Sequence, residues 1–169
     1  MPLNRTLAAL AFLASATVIV MVVAIVATGF SQQIFELAPS PAFVADQLRE
    51  PVHALGLRIN LGLDNLFIVV YSAFFVFLAV RLRTLLSPAI VAVALAALIL
   101  TALLDAVENH HILLMLHDFQ HGAPISVDEL EWQMRVSNLK FHASYVGVFL
   151  FAFGLYRLGG LARVIAFLL

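Results

Sequence analysis

Residues 6–30 read TLAALAFLASATVIVMVVAIVATGF, and no charged side chain interrupts them. A bilayer core of about 30 Å needs roughly 20 mostly apolar helical residues to cross it, so this stretch is long enough to span. It is also longer than the 7–15 residues of a secretion-signal core, and no clear small-x-small cleavage site follows. It reads as a retained anchor helix. Three further stretches qualify, over about 59–80, 88–107 and 140–158.

Composition agrees. Of 169 residues, 63% are hydrophobic and 11% charged, with fourteen phenylalanines and no cysteine. Mean hydropathy is +1.05. A soluble domain is about a quarter charged and has no interior for so much apolar surface. A net charge of −1 gives no electrostatic footprint for nucleic acid. Without cysteine there is no disulfide, thiolate metal site or thiol nucleophile. The fold expected is an all-α integral membrane protein: one domain over residues 1–169, four spanning helices in an antiparallel bundle, and short interfacial helices in the first long connection and at the C-terminus.

Charge placement sets the orientation. Arg5, Arg81, Arg83, Arg157 and Arg163 mark the N-terminus, the second connection and the C-terminus, with no acidic residue among them. All ten carboxylates fall in the first or third connection or in adjoining helix ends. The positive-inside rule then places both termini in the cytoplasm and the long connections outside, as in a bacterial inner membrane.

Helix starts are marked locally. Ser87-Pro88 and Ser40-Pro41 each pair a capping serine with a proline suited to the first helical turn. Ser126-Val127-Asp128-Glu129 has the form of a capping box. It predicts that the fourth helix begins at about 127, outside the bilayer, and enters past Trp132, an interface anchor. The third helix extends outward to about 116. Phe43, Val44, Gln47 and Leu48 mix apolar and polar character as an interfacial helix would. The tail after Gly159-Gly160 is too short to span.

The polar residues of the spans gather at the outer side: Asn60, Asp64 and Asn65; Asp105, Glu108, Asn109, His110 and His111; Asn138, Lys140, His142 and Ser144. All six histidines fall there too. Ionisable residues within spans are costly and mark functional sites. Residues three or four apart share a helical face, which aligns Asn60, Asp64, Phe67 and Tyr71 on one span and Thr101, Asp105 and Glu108 on the next. Lys140 is the one base at the same depth, with Arg58 and Arg135 close outside.

Several chemistries fit this pattern. Glu108-Asn109-His110-His111 has the Glu-x-x-His spacing of carboxylate-bridged di-metal bundles. With Asp64, Asp105 and His142 it predicts a His/carboxylate site for zinc, iron or manganese. Such a site would activate water against a lipid-like substrate reached from the outer leaflet, or serve a redox reaction. Asp64, Lys140 and Ser144 are the catalytic candidates, Ser144 as a nucleophile near His142. His110 and His142 could hold a haem between two helices. A different class of role is an accessory subunit. There Asp105, Glu108 and Lys140 form an interhelical ion pair, and the alanine-rich first and third spans pack against a second copy or a larger membrane complex.

Overall fold

The computed structural model describes residues 3–168; Met1, Pro2 and Leu169 lie outside the described residues. Their order is α1 (Leu3–Thr28), a 3₁₀ turn (Gln32–Ile34), α2 (Pro41–Gln47), α3 (Pro51–Leu82), α4 (Pro88–Gln120), α5 (Val127–Leu158) and α6 (Gly160–Leu168). Four of these, α1, α3, α4 and α5, are long and apolar enough to cross a membrane. The protein is an all-α membrane bundle.

Local chemistry accounts for the helix ends. Ser40, Ser87 and Ser126 are N-caps, their hydroxyls accepting from the amides of Phe43, Ile90 and Glu129. Each satisfies one of the free N–H groups of a first turn. Pro41, Pro51 and Pro88 each open a helix. Gly29 ends α1 at φ 70°, and Gly159 and Gly160, at 77° and 54°, turn the chain from α5 into α6. Side chains other than glycine rarely hold such angles.

The helices run longer than their apolar stretches. The second apolar stretch begins near 59, yet α3 starts at Pro51, and α4 continues to Gln120. The segment between α1 and α3 explains this. Phe30, Phe35, Val44 and Leu48 are buried against Leu57 and Leu61 of α3, Ile112, Met115 and Leu116 of α4, and Leu130 of α5. This apolar cap supports the helix ends beyond the spans. Within it, α2 and its C-cap turn Val44 and Leu48 inward and leave Phe43 half exposed.

The bundle is open on one side. α1 packs along α3, α3 along α4, and α4 most extensively along α5, while α1 and α5 barely touch. Close approaches fix these pairs. A Cβ on Gly56 would lie 2.5 Å from Thr28 Oγ1 where α3 meets α1, and one on Gly147 would lie 2.4 Å from Leu98 Cγ where α5 meets α4. Small residues allow such backbone approaches in membrane bundles, where dispersion replaces the hydrophobic effect. Thr17 is the one fully buried residue of α1; a half-buried face packs on α3 and the opposite face, more than half of the helix, is exposed.

Candidate functional site: a polar cleft between four helices

The open side leads into a cleft of about 450 Å³. Small-molecule sites commonly measure about 300–1,000 Å³. Asp64 and Tyr71 of α3, Asp105 of α4, and Lys140 and Ser144 of α5 line its polar part, with Gln32 and Glu36 from the first connection. Met21, Phe67, Phe75, Leu98, Phe141 and Val148 make the rest apolar. One end of the cleft therefore suits a polar head and the other a hydrocarbon.

Lys140 organises the polar end. Its ammonium donates to Glu108 Oε2. It lies 3.0 Å from Asp105 Oδ1 and 3.9 Å from Glu36 Oε1. Glu108 also accepts from Gln133 Nε2 at 2.9 Å, which ties α4 to α5 a second time. The Tyr71 hydroxyl donates to Asp105 Oδ2 at 2.5 Å, joining α3 to α4. Asp64 accepts from Asn109 Nδ2 at 2.7 Å, and the same amide group reaches Asn65 Oδ1. Glu108, Asp64, Asn109 and Gln133 are all buried. Bonds of this kind hold a buried polar network in a single arrangement.

Three carboxylates thus contact one ammonium, and a fourth, Asp64, lies beside them on the same cleft. Lys140 is the only base in ion-pair contact with them among the described residues, and it does not reach Asp64. Arg58 instead donates to Gln120, and Arg135 pairs with Glu131. Burial pushes the Glu36 carboxyl above the usual glutamate value, and the charge of Glu108 pushes it the same way. Among the described residues, the buried amide atoms without a partner are Gln32 Oε1, Asn60 Oδ1 and Gln133 Oε1. All three are acceptors.

The structure therefore brings together Asp64, Asp105, Glu108 and Lys140 from the sequence candidates, and it leaves the histidines apart. His111 Nδ1 lies 2.5 Å from Glu129 Oε1, a separate link between α4 and α5. His142 is exposed, its Nδ1 2.7 Å from Asn138 O on its own helix. His110 is exposed, against His111. His117 and His121 stack at the end of α4, with ring centroids 4.1 Å apart, and His53 packs on Phe30. No group of three or more His, Asp or Glu side chains among the described residues is placed to hold a metal ion. The Ser144 hydroxyl bonds to Phe141 O at 2.8 Å rather than to a base.

Helical periodicity explains the difference. Glu108 and His111 stand one turn apart on the face of α4 that meets α5, so they meet α5 at different levels: Glu108 reaches Gln133 and Lys140, and His111 reaches Glu129. Two contributors carried weak signals in the sequence. Glu36 lies in the connection, with no helical register to place it, and Gln133 lies outside the apolar span. No family model matches the chain, and no curated protein or solved structure matches it significantly.

Proposed function

We propose that this membrane protein binds a lipid-like molecule in the outer half of the plasma membrane, with its head at the Lys140 cluster and its chain between α1 and α5. The observation that carries this reading is the cleft, polar at one end, apolar along its length and bounded by two helices that barely meet. Both termini are cytoplasmic in this reading. The arginines of the N-terminus, of the α3–α4 turn and of the C-terminus support that orientation. The ordered carboxylates and the Gln32 amide oxygen on the wall offer a head group orientation and hydrogen-bond acceptors.

The chain has no cysteine, so Ser144→Cys places a single thiol in the cleft. In nanodiscs, a lipid-soluble maleimide labels that thiol, and a saturating single-chain amphiphile slows the labelling. If no amphiphile of any head group slows it, the reading fails.

A second reading has its own support. One face of α1 packs on α3 and more than half of its residues are exposed, which suits an accessory subunit whose first helix packs in a larger assembly. Gentle extraction followed by size analysis separates the two, since this reading requires α1 to be covered by protein and the first requires only lipid.

A further inference from the structure

The balance of donors and acceptors in the cleft points further, to the head group itself. We infer that the site selects a cationic amphiphile, a protonated amine on an aliphatic chain. This inference rests on the lipid-binding reading above and specifies its ligand.

Asp64 carries the argument. Its carboxylate is buried, lines the cleft, and among the described residues accepts a hydrogen bond only from the neutral amide of Asn109. The ammonium of Lys140 is already occupied by Glu108 and Asp105. Four carboxylates against one ammonium leave formal negative charge uncompensated, and a desolvated carboxylate is relieved by a positive partner or a proton; an ammonium head brings both a charge and N–H donors. A second observation is independent of charge. On the cleft wall Gln32 Oε1 is a buried acceptor without a partner; the other unpartnered buried atoms among the described residues, Asn60 Oδ1, Gln133 Oε1 and Ser137 Oγ, lie off the cleft. A site short of donors and short of positive charge is completed by a group that brings both, and an alkylammonium does. An anionic head would face Asp64, Asp105 and Glu36 at close range, where like charges repel. The apolar wall of Phe67, Phe75 and Val148 would hold the chain.

The test compares three amphiphiles of one chain length on the Ser144→Cys protein in zwitterionic nanodiscs: dodecylammonium, dodecanol and dodecyl sulfate. Protection from the lipid-soluble maleimide is read against concentration. Phe153→Cys, on an exposed face of α5, controls for bulk partitioning. Dodecylammonium is expected to protect at a concentration about tenfold below that of dodecanol, with no protection at Phe153→Cys. Adding Asp64→Asn, which keeps an acceptor for Asn109, erases that advantage, and Asp64→Glu retains it. Equal protection by the amine and the alcohol, or better protection by the sulfate, overturns the head-group inference and leaves the lipid site standing. An amine advantage that survives in folded Asp64→Asn also overturns it. Protection by none of the three refutes the underlying reading as well.

Discussion

Replacing Lys140 with methionine removes the one positive charge among the carboxylates and keeps most of the volume. Its cost follows from burial. The Lys140 side chain is 11% exposed and that of Glu108 4%, so the pair belongs with buried ion pairs rather than surface ones. Exposed pairs are worth about 0–1 kcal/mol. Removing one member of a buried pair costs about 3–5 kcal/mol, because the other charge is left without compensation. Two effects pull toward the lower end. Glu108 keeps Gln133, and Asp105 keeps Tyr71, while the unfolded chain in a membrane also finds polar partners. The expected loss is about 3 kcal/mol. Unfolding in mixed micelles by increasing SDS, followed by the single tryptophan Trp132, measures it. Lys140→Met/Glu108→Gln is expected to recover at least half of the loss, because the most buried charge is then gone. A loss below about 1 kcal/mol would put the pair in the surface class. A double variant no more stable than the single one would equally refute the reasoning.

Other substitutions test the packing, the acid chemistry and the orientation. Gly147→Ala should destabilise the protein by about 1–3 kcal/mol, because its new methyl meets Leu98 and the carbonyl of Ala94 at 2.9 Å. Gly62→Ala meets nothing within 4 Å and should be neutral or slightly stabilising in the same SDS titration, since glycine disfavours a helix interior. Glu36 binds its proton more tightly in the folded state. Its contribution to stability is therefore lost as pH rises from 4.5, the ordinary glutamate value, through the raised folded value. Glu36→Gln should gain on the wild type over that interval and run parallel to it below, and parallel curves throughout would contradict the burial of that carboxyl. A membrane-impermeant maleimide on intact cells should label Gly122→Cys and spare Arg83→Cys, and the reverse pattern would invert the orientation.

Fold and site were legible in the sequence to different degrees. The apolar run of 6–30, the serine–proline starts and the Ser126 cap are local signals, and each marks a helix terminus or span in the structure. Asp64, Asp105, Glu108 and Lys140 could be grouped because depth and helical spacing coincide on three spans. Helical spacing does not say which residues of a neighbouring helix a face meets. His111 and Glu108 share a face of α4, yet they meet different residues of α5. Glu36 reaches Lys140 only because Phe30 and Phe35 seat the connection on the helix ends. That packing depends on contacts distant in sequence and leaves no periodic trace. The open side between α1 and α5 is likewise a property of the assembled bundle.

The most direct test of the lipid cleft is photocrosslinking with a single-chain alkylamine carrying a diazirine on its chain, followed by peptide mapping. The cleft predicts saturable adducts on Met21, Phe67, Phe75 and Val148, competed by the unmodified amine. Adducts that do not saturate and spread over outward-facing residues such as Phe12, Val26 and Phe149 would show bulk lipid contact and contradict it.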